Sequence, residues 1–256
     1  MLRSIYTSTA AMLTHMEQTA TTANNLANAN TSGFRKDLLL FDSRPGREIW
    51  RTDDPTYVDI NGRQLPKYMG KLSTGLTDTE VYRDVSKGHM IHTGKPLDVF
   101  LDGPGFLRLE TPQGERFSRA GNLTMNEEGF LTNPEGYRVL GLAGPVSITG
   151  KDVQIGRSGN VIVDGETVAA LSIAHFEDVQ QLRKDGDNLW RNEGTAEVPG
   201  QTAVISGVLE GSNVDVSREM VNLISQSRHF EMASKSLQTG DEILNLIVNQ
   251  LARMPQ

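Results

Sequence analysis

The two ends of this chain share a rhythm that its middle lacks. Near the start, Leu2, Ile5, Thr9, Met12, Met16, Thr19, Ala23 and Leu26 recur at three–four spacing. Near the end, Val216, Met220, Leu223, Ser227, Phe230, Ser234, Leu237, Asp241, Leu244, Val248 and Leu251 do the same. This is the repeat of helices that pack along a seam. It predicts a first helix over about Leu2–Ala29, roughly 40 Å long, and a last helix of about forty residues ending near Ala252. The first seam is thin, built from Thr, Ala and Met, so that helix draws its stability from a partner. The second carries Ser227, Ser234 and Asp241, polar seam positions that fix register or partner at a cost in stability. Ile243 and Ile247 widen its apolar face toward more than one neighbour.

Boundary signals agree with this reading. The first helix runs into Asn24, Asn25, Asn28 and Asn30, whose side chains compete with the helical backbone. Gly33 is a natural terminator. Ser212 with Asp215 fits a capping box ahead of the last helix. Glu231 and Lys235 form a favourable i,i+4 pair.

The middle is different. Residues 35–84 hold frequent charges, Pro45, Pro55 and Pro66, and no period, so they predict an extended or loosely paired arm with Trp50, Tyr57 and Tyr68 as anchors. An unstructured loop of this length inside a compact domain would be unusual, and an arm touching neighbours is the expectation. From about residue 85 to 209 the pattern is strand and turn. Phe106–Glu110 and Glu115–Arg119 flank Thr111-Pro112-Gln113-Gly114. Asn133-Pro134-Glu135-Gly136 and Asp164-Gly165 are further turn signals, and Val161–Val163 and Val168–Ile173 are short strands. Such spacing predicts an all-β barrel or sandwich. The expected fold is α+β: long N- and C-terminal helices (1–34 and 210–256) pairing as a coiled-coil-like assembly domain, with a central all-β domain.

Little here points to catalysis. The 256 residues contain no cysteine, which excludes disulfides and thiolate chemistry. The net charge of −7 is unclustered and does not suggest nucleic acid. No leader-like apolar stretch opens the chain, so export without a cleaved signal peptide is expected. No run is long enough to span a bilayer. His89 and His92 lack further ligands nearby, and His15 and His229 fall on the helices as packing or interface residues. Asp53-Asp54 and Glu127-Glu128 suit solvated charge better than acid–base pairs. Asp185-Gly186-Asp187-Asn188 lacks the spacing and closing Glu of a calcium loop. Gly103-Pro104-Gly105 does not open a dinucleotide-binding helix, and no nucleophile elbow or P-loop occurs. No catalytic, metal or cofactor-binding residue is expected.

Three groups of motifs, in order, carry a resemblance. They are Ala23-Asn-Asn-Leu-Ala-Asn-Ala-Asn-Thr-Ser-Gly-Phe34; Leu97–Phe106 with Ser118–Asn122, Gly129–Thr132 and Gly136–Gly141; and Glu210-Gly-Ser-Asn-Val-Asp215 with Glu219–Ile224 and Arg228–Glu231. The chain resembles the flagellar axial proteins, specifically the basal-body rod proteins. The resemblance implies a structural subunit of the rod, part of the axial drive shaft, in the basal body of the bacterial cell envelope. It implies export by the flagellar type III apparatus, and association with other copies and with other rod or hook proteins. The length suits a proximal rod protein, then a distal one, rather than the longer hook protein. A secreted β-rich carbohydrate-active enzyme and a free coiled-coil adaptor are the competing readings.

Seam and signature together give the expected assembly interface. On the N-terminal side it comprises Leu2, Ile5, Met12, Met16, Asn24, Asn25, Leu26, Asn28, Asn30, Gly33 and Phe34. On the C-terminal side it comprises Asn213, Val214, Glu219, Met220, Leu223, Ile224, Arg228, Phe230, Glu231, Leu237, Leu244, Val248 and Leu251. The asparagine amides are expected to bond backbone groups of a neighbour.

Overall fold

The computed structural model describes residues 2–43, 46–51, 66–72, 76–150 and 152–251. Pro45, Pro55, Tyr57 and the Asp53-Asp54 pair lie outside the described residues, as do the side chains of Leu2 and Leu251. The chain forms two units: Met1–Ala23 with Leu38–Val81 and Met220–Gln256, and Asn24–Asp37 with Tyr82–Glu219.

Helix α1 (Leu2–Ala27) and helix α2 (Val216–Leu251) bracket the chain. In the first unit they run antiparallel, because partner numbers fall on one as they rise on the other. Ser8 Oγ lies 3.1 Å from Ser236 Oγ, and the rings of His15 and His229 stack at 5.3 Å. A Cβ at Gly240 would meet Ile5 at 3.5 Å. Small residues at these crossings let the two backbones approach.

The packed stripe of α2 is rotated from the expected one. Leu223, Gln226, Phe230, Ala233, Leu237, Gly240, Leu244 and Ile247 are half-buried and keep the three–four repeat. Leu223, Phe230, Leu237 and Leu244 are shared with the expected seam. Between them Gln226, Gly240 and Ile247 take positions assigned to Ser227, Asp241 and Val248, and Ala233 joins Ser234, which stays half-buried. The rotation leaves Ser227 and Asp241 in water and brings in Ala233 and Gly240, which fit a closely approaching helix. Helix α1 keeps an exposed repeat of its own: Tyr6, Thr9, Leu13, Met16, Ala20 and Ala23.

The start of α2 also differs from the expected capping box. Asp215 caps the helix itself, its Oδ1 accepting from the backbone N–H of Ser217 at 3.0 Å and Arg218 at 3.2 Å. A carboxylate there satisfies free amides and complements the helix dipole. Ser212 instead accepts from the Val214 N–H.

The described residues of the arm are paired. Asp37–Ser43 pairs with Leu76–Arg83, and Arg47–Arg51 with Lys67–Leu72 in antiparallel register. Trp50 and Tyr68 anchor each other edge-on at 5.2 Å, both about half exposed.

The second unit is a set of antiparallel sheets. The largest has nine strands, along the order Leu182–Lys184, Leu189–Asn192, Gly114–Ser118, Phe106–Thr111, Arg138–Gly141, Leu131–Thr132 and Thr124–Met125; Gly144–Pro145 and Ile173–Ala174 join from the side. Val153–Ile155, Asn160–Val163 and Glu166–Ala170 form a second sheet. Two pairs bring distant segments together: Val99–Asp102 with Ala203–Ser206, and Met90–His92 with Val208–Glu210. The hairpin expected at Pro112-Gln113 closes on Thr111↔Gly114. At Asp164-Gly165 both residues take positive φ (52° and 91°), the geometry of a tight hairpin turn. The core is aliphatic around Leu101, Leu107, Leu131, Val139 and Val161, with a second cluster of Phe106, Phe117, Phe176, Leu182 and Trp190.

Candidate functional site

The asparagine-rich helix end does not stand free. It is built into the second unit, where it meets residues from the middle and from the start of α2. At the centre is Glu210, 1 % exposed, carried to the core by the strand Val208–Glu210. Its Oε1 accepts from Arg35 Nη2 at 2.5 Å and from the Gly88 N–H at 3.1 Å, and its Oε2 accepts from Arg119 Nε at 2.7 Å. Its backbone carbonyl accepts from the Gly33 N–H at 2.8 Å. Arg119 donates further to the carbonyls of Leu101, Gly103 and Gly105. Burial alone would raise the Glu210 carboxyl, but Arg119 and Arg35 outweigh it and hold the pKa below its ordinary value. Burial lowers the Arg119 guanidinium, opposed in part by Glu210.

Around this node several signature residues have intramolecular tasks. Asn25 is 2 % exposed and spends its amide on one residue: Nδ2 donates to the Asp37 carbonyl at 2.8 Å, and Oδ1 accepts from the Asp37 N–H at 3.0 Å. Asn28 bonds the Asn24 carbonyl and the Thr31 hydroxyl. Asn213 accepts from the Lys36 N–H and donates to the Asp84 carbonyl. Phe34 is buried, with the Lys184 ammonium 4.2 Å from its ring centre. Lys184 also donates to the Arg35 carbonyl and to Asp37 Oδ2, yet burial lowers its pKa. Ser32 is gripped from two sides, by Asn122 and by Asn188, a residue at φ 54°.

The expected interface residues therefore fall into three groups. Asn25, Gly33, Phe34 and Glu219 are buried in the second unit, and Leu26, Asn28, Asn213 and Val214 are half-buried there. Asn24, Asn30, Met16, Met220, Ile224, Arg228, Glu231 and Val248 are exposed. Ile5, Met12, Leu223, Phe230, Leu237 and Leu244 are half-buried in the helix pair. Sequence reasoning missed Arg35, Arg119, Lys184, Asn188 and Glu210. The available signal was charge: Arg119 and Glu210 stand inside the quoted motifs and Arg35 directly follows the first, and a carboxylate with two arginines among apolar residues suggests a buried node. Every oxygen of the Glu210 carboxylate is taken up by arginine or backbone donors. The node can tie three distant segments into one joint.

Two substitutions check the joint. Gly33 sits at φ +67°, and a Cβ there would come within 2.5 Å of the Arg119 carbonyl carbon. Gly33→Ala is expected to cost the second unit at least about 2 kcal/mol, read by denaturant unfolding. Asn25→Ala removes the partner of two half-buried backbone groups of Asp37, and is expected to cost about 2 kcal/mol. Asn30→Ala, on an exposed residue, should stay within about 0.5 kcal/mol. Equal effects at Asn25 and Asn30 would overturn this division of roles.

Comparison with known proteins follows the same three regions. The family described as flagella basal body rod protein matches residues 5–35. The D1 domain of flagellar hook protein FlgE/F/G matches 100–163, and the flagellar basal body rod FlgEFG protein C-terminal family matches 205–251. Flagellar basal-body rod protein FlgG of Bacillus subtilis (strain 168) is 34 % identical, over 97 % of this chain and 99 % of its own length. Flagellar basal-body rod protein FlgF of Caulobacter vibrioides is 31 % identical over 91 % of each, and that of Escherichia coli (strain K12) is 30 % identical over 93 % of this chain and 94 % of its own. With ordered matches at both ends and the middle, and similarity along its whole length, the chain belongs to the family of flagellar basal-body rod proteins and is a structural subunit of the rod.

Proposed function

We propose that the subunit builds the rod by helical self-assembly through its terminal helices, which pair in a coiled-coil-like way, while the β unit serves as their anchorage. The observation that carries this is the exposed repeat on α1. Tyr6 is 71 % exposed, Leu13 58 % and Met16 61 %, on a face left over after α1 has packed on α2. On α2, Val221 and Leu246 are similarly exposed. Apolar faces of this extent on a soluble subunit mark contact sites, and two unlike faces on one subunit generate open helical arrays. Neighbours along the axis are other copies and other rod or hook proteins. Passage to the assembly site by the flagellar export apparatus, without a cleaved signal peptide, suits helices that gain order when neighbours cover them. The role is mechanical and not enzymatic: the best-built polar cluster is spent on structure. A proximal position along the rod is the preferred placement, with a distal or hook-type position the alternative.

Limited proteolysis of the isolated subunit tests this. Cleavage should fall within 2–23 and 220–251 and stop at a core near residues 24–219, since the signature is built into the β unit. Leu13→Asp should abolish assembly with the core unchanged. Protease-resistant ends in dilute monomer, or normal assembly of Leu13→Asp, would refute the helix-mediated mechanism.

A further inference from the structure

Beside the Glu210 node lies a cavity of about 240 Å³. Arg35, Arg119 and Lys87 supply the charged part of its wall, and Val85, Phe106 and Val179 most of the apolar part. We propose that this cavity receives an acidic side chain, flanked by an apolar one, from a neighbouring axial subunit. The proposal rests on the rod-subunit reading for its occupant and goes beyond it in naming a contact outside the terminal helices.

Three observations select the occupant. The first is charge. Arg35, Arg119 and Lys87 stand against two carboxylates, Glu210 and Asp102, the latter 2.6 Å from Lys87. Three cations less two anions leaves one positive charge, next to a buried node where uncompensated charge is costly. No acidic residue lines the cavity. The second is an unfilled donor. The Arg35 side chain is 6 % exposed, its Nη2 is on Glu210, and its Nη1 is buried with no acceptor. Buried guanidinium donors are normally satisfied, and an incoming carboxylate supplies both the acceptor and the missing charge. The third is size. The volume falls below the roughly 300–1,000 Å³ of small-molecule sites and suits a side chain or two. Subunits of this composition, with 32 Asp+Glu against 25 Lys+Arg, offer acidic segments in excess.

The test uses the full-length chain as monomer, titrated by NMR with the peptides Ac-Leu-Glu-Leu-amide and Ac-Leu-Gln-Leu-amide, and with propionate. The acidic peptide should bind near or below about 1 mM, with the glutamine peptide at least about tenfold weaker. Val85→Trp fills the cavity from its exposed rim and should abolish binding while the unfolding midpoint is kept. Val179→Phe serves the same purpose if Val85→Trp fails to fold. Lys87→Gln should weaken the acidic peptide alone. Equal binding of both peptides, no binding of either, or propionate binding as tightly as the acidic peptide would each overturn the proposal. These readouts are on the monomer, so they stay separate from failure of helix-mediated assembly, which is read from polymers.

Discussion

Glu210→Gln should unfold the β unit more readily by about 3–5 kcal/mol, because it removes the only carboxylate between two buried arginines. The substitution keeps shape and some hydrogen bonding, so the loss reports charge. Urea unfolding, followed by the fluorescence of the buried Trp190, measures it. A pH dependence follows from the same group. Its folded pKa lies below its unfolded value, so its contribution is fully present above about pH 4.5 and fades as pH falls through the folded pKa. The wild type should therefore lose stability more steeply below about pH 4.5 than Glu210→Gln does. Parallel acid curves for the two proteins would mean that the node is electrostatically silent.

The second large effect is expected at Leu237→Asp. Leu237 sits in the half-buried stripe of α2, between Ala233 and Gly240. A carboxylate there must be desolvated or the helices must part, and the apolar truncation alone costs about 2–5 kcal/mol in a buried site. Phe230→Ala, one heptad earlier, should act the same way but less strongly. Both should stop rod assembly, scored by electron microscopy, while the β unit keeps its unfolding midpoint. The comparison with Leu13→Asp is informative: that residue is on the outward face of α1, so the helix pair should survive while assembly is lost. Normal rods from Leu237→Asp would remove α2 from the assembly mechanism.

The terminal helices were legible because their apolar repeat is long, and Leu223, Phe230, Leu237 and Leu244 fall where the period places them. The one-residue rotation of the other seam positions was not legible. Close approach of Ile5 favours glycine at Gly240, and only the partner helix reveals that. The hairpins at Pro112-Gln113 and Asp164-Gly165 were readable from turn chemistry. The pairing of the arm was legible only as loose pairing without a register, since its sequence lacks apolar–polar alternation and it exposes Trp50, Met69 and Leu40. Among the asparagines, Asn25 bonds a backbone group twelve positions away in its own chain, a partner that the sequence did not indicate. The Glu210 node stayed hidden because its members are far apart in the sequence and each looks like an ordinary surface charge.

That separation has a temporal consequence. Arg35 and Glu210 are 175 positions apart, and Arg119 lies between them. The joint cannot close until nearly the whole chain is present on the same side of any barrier, and closure over so long a loop is slow. A chain threaded end-first through a narrow channel thus stays pliant throughout its passage and locks only at the finish. Glu210 therefore works as a clock for folding: its arrival, and not that of Arg35 or Arg119, sets the moment at which the joint can lock.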